Sequence, residues 1–215
     1  MAHLLIHRGI VNKQYKENLL KSFKQSFKKG YGIETDIHFT KDNEFICFHD
    51  FTLNRILKKK ISVKNINYDQ IKKISSKYKK PIPLLKDLLI ASKNIHTLFI
   101  EIKPNFSKKI LQKLLNETSK FSKCVFISFK HENIFNLLKI KSNTKVGLSF
   151  SPTTSVKRII KRSCNKKINY IILDKFFLKS KKINNLKIKK YFYTIKTKSE
   201  FKKYNNYNNL IIENL

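Results

Sequence analysis

Short runs of β-branched and aromatic residues alternate along this 215-residue chain with polar stretches whose apolar positions recur at helical spacing. Residues 4–7, 33–39, 98–103, 124–129, 145–150, 170–173, 191–195 and 210–212 read as strands. A further extended run, 44–48, reads as an excursion after the second strand. Helical stretches fall at 19–28, where Leu19, Leu20, Phe23 and Phe27 share a face, and at 110–121, 134–140 and 156–161. The segment 176–190 is the weakest of them.

Strands alternating with helices predict an α/β fold with a parallel sheet, and eight such units predict a closed (β/α)8 TIM barrel. The barrel would be compact: the chain is short of the roughly 250 residues typical of this fold, and the last predicted strand lies so near its end that the last helix should be missing or trimmed. Glycine and proline are scarce, at four each, and no linker or second boundary shows. We therefore expect one domain over 1–215, with a short lysine-rich insertion at about 51–83.

Lys and Arg outnumber Asp and Glu by 47 to 14, a formal charge of +33. Such a balance usually points to nucleic acid or an anionic surface. Here only Arg8, Arg55, Arg158 and Arg162 are arginines, and the lysines run the whole length without gathering in one tail. Lys, Asn and Ile are residues of A/T-rich codons, so the excess reads as a compositional background on a solvated surface, with no specific nucleic acid partner expected. No apolar run approaches the ~18 residues of a spanning helix. The start, residues 1–6, lacks the basic region and apolar length of a signal peptide, which leads us to expect a cytoplasmic protein. Cys47, Cys124 and Cys164 are far apart and form no CxxC, so they read as buried free thiols.

Because acidic residues are few, their placement is informative. Glu34 and Asp36 lie two apart in a predicted strand, so they share a face while Ile33 and Ile37 take the other. Glu101 and Lys103 repeat the device on the next barrel strand. In a barrel that shared face is the interior, where carboxylates repel one another unless a cation lies between them. Three inward carboxylates make a hard oxygen site suited to Mg2+ or Ca2+. His7 closes the first strand and His49 follows the excursion, both at C-terminal strand ends where barrel enzymes keep their chemistry. Two histidines there can divide the work of general acid and base. Arg8 and Lys103 add positive charge apt for a phosphate.

The motifs HRG from His7, ENLLKSF from Glu17, GIETDIHFTKDNEFICFHDFTLNR from Gly32, IPLLKDLL from Ile82 and FIEIKP from Phe99 stand in an order and spacing that resembles the glycerophosphodiester phosphodiesterases over residues 6–104. Beyond them the resemblance thins to Ser128-Phe129, to Tyr193-Thr194-Ile195 where the family usually has Trp-Thr-Val, and to LIIEN, with Asn214 where it usually has Asp. The resemblance implies Glu34, Asp36 and Glu101 as ligands of a divalent metal, His7 and His49 as the acid–base pair, Arg8 and Lys103 as phosphate holders, and Tyr193 in the pocket lining. It implies metal-dependent hydrolysis of small glycerophosphodiesters to sn-glycerol 3-phosphate and an alcohol. Asn18 reads as a helix-start residue, Asp50 as a loop-orienting group, His38 as structural, and His3, His96 and His131 as ordinary surface or strand-end residues.

Two other functions remain open at this level. One is lysophospholipase D-like hydrolysis by the same residues. The other is a non-catalytic basic protein that binds nucleic acid or an anionic surface, in which the lysines would gather on one face among exposed aromatics.

Overall fold

The computed structural model describes residues 3–206 and 208–213. Met1 and Ala2 of the leading run, and Asn214 of the closing motif, lie outside the described residues. Nine strands are formed among the described residues: β1 (Leu4–His7), β2 (Gly32–Phe39), β3 (Phe45–Cys47), β4 (Leu98–Ile102), β5 (Cys124–Ser128), β6 (Val146–Phe150), β7 (Tyr170–Asp174), β8 (Lys189–Ile195) and β9 (Asn209–Ile212). Eight of them run parallel in the order β1-β9-β8-β7-β6-β5-β4-β2, and the β1–β2 pairing closes the sheet into a (β/α)8 barrel. The remaining strand, β3, folds back antiparallel on the outer end of β2, with Ile37 opposite Cys47.

Alternation along each strand divides the apolar residues between two layers. Leu5, Phe99, Val125, Ile127, Ile172, Tyr191 and Ile211 fill the inside of the barrel. Ile33, Ile37, Ile100, Ile102, Leu148 and Leu173 face outward against the helices. The helices on that side are α1 (Leu20–Lys28), α4 (Leu85–Ser92), α5 (Lys108–Glu117), α6 (His131–Ile140) and α7 (Val156–Ser163). Their buried stripes recur at three- and four-residue spacing, as with Phe23 and Phe27 on α1 and Leu111, Leu114 and Leu115 on α5. Ser107 and Ser155 begin two of them by accepting the backbone N–H of Ile110 and Arg158.

Between β3 and α4 the chain forms α2 (Asn54–Leu57) and α3 (Tyr68–Lys77). Here Phe48, Leu53, Leu57, Val63, Ile66, Ile71 and Ile82 gather with Ile46 of β3 into an apolar cluster of their own. The lysine-rich excursion therefore packs down beside the hairpin and carries a small core under its charged surface. The weak segment 176–190 becomes a 3-10 turn (Lys175–Lys179), capped by Asp174, and one turn of helix, α8 (Lys181–Asn184), capped by Ser180. A further helix, α9 (Lys198–Tyr204), precedes β9 and only half-buries Phe201 and Tyr204 against the core. Whether a helix follows β9 lies outside the described residues.

Two of the three cysteines, Cys47 and Cys124, are buried free thiols, and burial pushes both thiols up. Cys164, at the end of α7, is exposed, against expectation. Among the described residues, no helix is long and apolar enough to cross a membrane.

Candidate active site

The turn after β1 aims the first site residues. Arg8 and Gly9 both take left-handed backbone, with φ of 55° and 75°. A side chain at Gly9 would bring its Cβ within 2.9 Å of the Ser22 backbone of α1, so glycine is the residue this close approach admits. Arg8 holds its less favourable conformation because its N–H donates to Glu34 O at 2.8 Å and its carbonyl accepts the Asn18 N–H at 2.9 Å.

Strand register then assembles the inward face. His7 stands beside Glu34 on β2, and Asp36 beside Glu101 on β4. One carboxylate oxygen from each of Glu34, Asp36 and Glu101 lies within 4.8 Å of the other two. All three are buried, and Glu34 Oε2 and Asp36 Oδ1 have no hydrogen-bond partner among the described residues. Arg8 Nε lies 3.0 Å from Asp36 Oδ2, and Lys103 Nζ lies 3.4 Å from Asp36 Oδ1 and 2.8 Å from Glu101 Oε1.

Three buried carboxylates against two cations leave an excess of negative charge. Burial, with Asp36 and Glu101 alongside, pushes the Glu34 carboxyl well above the usual range. Burial and Asp36 push Glu101 up to about 7. Burial acts the same way on Asp36, but Arg8 and Lys103 outweigh it and hold that carboxyl below its ordinary value. Orphaned oxygens, converging hard donors and surplus negative charge are the surroundings that suit a divalent cation.

Each candidate acid–base histidine donates from Nδ1 to a carboxylate. His7 Nδ1 lies 2.7 Å from Glu213 Oε2, and His49 Nδ1 lies 2.7 Å from Asp50 Oδ1. These bonds leave the Nε2 atoms free of that task, the arrangement a proton-transferring imidazole needs. The bond from His7 pulls Glu213 down to about 2, and partial burial lowers the pKa of His49. Arg55 of α2 grips Asp50 through Nε at 2.7 Å and also holds Glu17, whose Oε1 lies 3.5 Å from Arg8 NH1. Glu213, Glu17 and Arg55 escaped the sequence reading. All three stand within the quoted motifs, Glu17 opening ENLLKSF, Arg55 closing the longest run and Glu213 in LIIEN just beyond β9.

Asn18 is not the cap of α1. Its side chain donates to Asp36 Oδ2 at 3.1 Å and accepts from the Thr35 hydroxyl at 2.8 Å, so it braces a carboxylate. His131 is half-buried rather than an ordinary surface residue, donating from Nε2 to Ser149 O at 2.9 Å. His38 is buried, and its Nε2 donates to His49 O at 3.1 Å.

Burial pulls His38 down to about 4 from 6.5, so the folded chain refuses a proton that the unfolded chain accepts. Its contribution to stability is whole above about pH 6.5 and is lost as pH falls through about 4, roughly 3 kcal/mol in all. His38→Gln keeps a donor for the carbonyl and should flatten the fall of the urea midpoint between pH 7 and 4.5. An unchanged slope would place the acid sensitivity elsewhere.

His7, Arg8, Glu34, His49, Glu101 and Lys103 line a cavity of about 220 Å3 together with Tyr193 and apolar residues of β5, β7 and β9. The Tyr193 hydroxyl donates to Phe150 O at 2.8 Å, and its ring meets Phe129 edge-on.

Known proteins share this architecture. A glycerophosphodiester phosphodiesterase of Caldanaerobacter subterraneus is 29% identical over 163 residues, which is 68% of this chain and 66% of that protein. One from Bacillus altitudinis is 28% identical over 53% of each. The matched stretches thus span about two thirds of the first relative's length and about half of the second's. Among solved structures, a glycerophosphodiester phosphodiesterase from Thermotoga maritima superposes with a TM-score of 0.83 at 20% identity, over 99% of this chain and 94% of that one. An Oleispira antarctica phosphodiesterase in complex with the product sn-glycerol-3-phosphate gives 0.83 at 18% identity, over 98% and 92%. The signature of the glycerophosphoryl diester phosphodiesterase family matches residues 7–209, which run from the first candidate histidine into the last barrel strand, and the chain belongs to that family.

Proposed function

We propose that the protein hydrolyses glycerophosphodiesters to sn-glycerol 3-phosphate and an alcohol, using a divalent cation. The observation that carries this reading is the trio Glu34, Asp36 and Glu101, buried together with two orphaned oxygens and flanked by two carboxylate-oriented histidines. The family membership supports it, and so does the product held by the Oleispira relative.

Glu34, Asp36 and Glu101 would hold Mg2+ or Ca2+, which when bound supplies positive charge for the phosphoryl oxygens. Arg8 and Lys103 face the same cavity and bind the phosphate, the guanidinium being able to engage two oxygens at once. One histidine takes at its Nε2 the proton of the glycerol hydroxyl next to the phosphorylated carbon as that oxygen attacks phosphorus. The other gives a proton from Nε2 to the leaving alkoxide, and water then opens the cyclic phosphate to sn-glycerol 3-phosphate. Glu213 and Asp50 keep each ring in the tautomer this exchange requires. Tyr193, its hydroxyl already bonded to the backbone, offers its ring to the organic part of the substrate.

The test is incubation with glycerophosphocholine, glycerophosphoethanolamine and lysophosphatidylcholine, each with Mg2+, with Ca2+ or with EDTA. We expect sn-glycerol 3-phosphate from the two deacylated diesters, dependent on metal. No sn-glycerol 3-phosphate from either deacylated diester under any metal condition would overturn the reading, and cleavage of lysophosphatidylcholine alone would favour the lysophospholipase D alternative.

A further inference from the structure

The cavity has two unlike walls. β1, β2, β4 and the segments that follow β1, β3 and β4 bring its titratable groups His7, Arg8, Glu34, His49, Glu101 and Lys103. The facing wall is largely apolar, built from residues such as Ile127, Phe129 and Ile172. In the closed strand order β6 stands four places from β1 in either direction, directly across the barrel. Ser149 lines the cavity from β6, while its neighbours Leu148 and Phe150 pack into the outer layer.

Ser149 is 2% exposed, and its Oγ has no hydrogen-bond partner among the described residues. The backbone that carries it is firmly placed. His131 Nε2 donates to Ser149 O, and the same ring packs edge-on against Phe150. The Tyr193 hydroxyl on this wall is already taken up by Phe150 O. A buried hydroxyl left without a partner is costly in the folded chain, so its presence beside a cavity points to a ligand group that completes it.

Resting on the glycerophosphodiester reading above, we propose that Ser149 recognises the terminal hydroxyl of the glycerol unit, the one farthest from phosphorus. With the phosphate on Arg8 and Lys103, the hydroxyl next to the phosphorylated carbon stays by the charged wall. The terminal hydroxyl is the group that reaches across to β6. Ser149 Oγ donates to it or accepts from it equally well, and the lining isoleucines pack against the glycerol carbons. An acyl chain at that position removes the donor and adds bulk to a cavity of about 220 Å3, which is below the ~300–1,000 Å3 usual for drug-sized ligands. The site thereby selects the free diol over a lysophospholipid.

The test compares glycerophosphocholine with its counterpart lacking that hydroxyl, the phosphocholine diester of propane-1,2-diol, in the presence of Mg2+ or Ca2+. Wild-type kcat/KM should favour the glycerol compound by about tenfold, the worth of one good neutral hydrogen bond. In Ser149→Ala that ratio should collapse toward 1, with Ser149→Cys, a weak donor of similar size, in between. Calorimetry with sn-glycerol 3-phosphate against propane-1,2-diol 1-phosphate should give the same pattern in affinity. A ratio that Ser149→Ala leaves within about twofold of wild type would overturn the assignment. If wild type cleaves neither diester, the glycerophosphodiester reading fails, and calorimetry alone decides on Ser149, equal affinities for the two phosphates counting against it.

Discussion

Glu34→Gln, Asp36→Asn and Glu101→Gln should each lower kcat/KM on glycerophosphocholine by about a thousandfold or more, since some 4 kcal/mol of transition-state charge stabilisation is at stake. Their effects on the metal-free fold should differ. Burial first, and the neighbouring carboxylates after it, raise the Glu34 and Glu101 carboxyls, so their charged forms are disfavoured in the metal-free fold. Neutral amides there relieve repulsion, so Glu34→Gln and Glu101→Gln should melt in EDTA at or above the wild-type temperature. Asp36 pairs with Arg8 and Lys103 and accepts from Asn18, so Asp36→Asn leaves buried cations underpaired and should melt lower. All three should lose the stabilisation that added Mg2+ or Ca2+ gives the wild type, about 2.7 kcal/mol at a metal concentration a hundred times Kd. A variant with near wild-type turnover at limiting metal, or with an intact metal-induced rise in melting temperature, would remove that residue from the ligand set.

The carboxylate cluster was legible because strand parity is a local property: two acids two apart share a face whatever the rest of the chain does. The barrel was legible for the same reason, strand by strand. Glu213 was not, because its meeting with His7 depends on β9 lying beside β1, a pairing across more than 200 residues. Arg55 and Glu17 sit on loops and a one-turn helix, where no periodicity marks a side chain's direction. The unread helices failed for distinct reasons. In α9 Phe201 is the single strongly apolar residue, and only it and Tyr204 pack, half-buried, against the core, which is too thin a stripe to read from the sequence. In α4 the run Leu88, Leu89, Ile90 and Ala91 follows Leu85 so closely that face and back look alike, although Ile90 is 70% exposed. In α3 the stripe of Ile71 and Ile74 is diluted by lysines, and its support comes from a cluster built largely by other parts of the excursion. Asn18 misled because an Asn before an apolar run is an ordinary cap signal, and only the left-handed turn at that residue redirects it toward Asp36.

His7→Ala and His49→Ala should each lower kcat by about 10^2- to 10^4-fold with little change in KM, because proton transfer is made in the transition state and contributes little to ground-state binding. The two are separable by leaving group. A diester whose alcohol is p-nitrophenol departs without protonation, so the variant lacking the general acid should recover most of its lost rate on that substrate. The variant lacking the base should recover none. The oriented rings sharpen this expectation. Glu213→Gln and Asp50→Asn replace an acceptor that fixes Nδ1–H with a group that can also donate, which permits the wrong tautomer, so each should reproduce in weaker form the kcat loss of its own histidine. Arg55→Lys should act through Asp50 in the same direction as Asp50→Asn, because an ammonium cannot hold Asp50 and Glu17 together as the guanidinium fork does. Wild-type kcat/KM against pH should be bell-shaped, one limb disappearing in each histidine variant. A change in KM alone for either alanine variant would make that histidine a binding group, and equal losses on both leaving groups for both variants would end the division of acid and base between them.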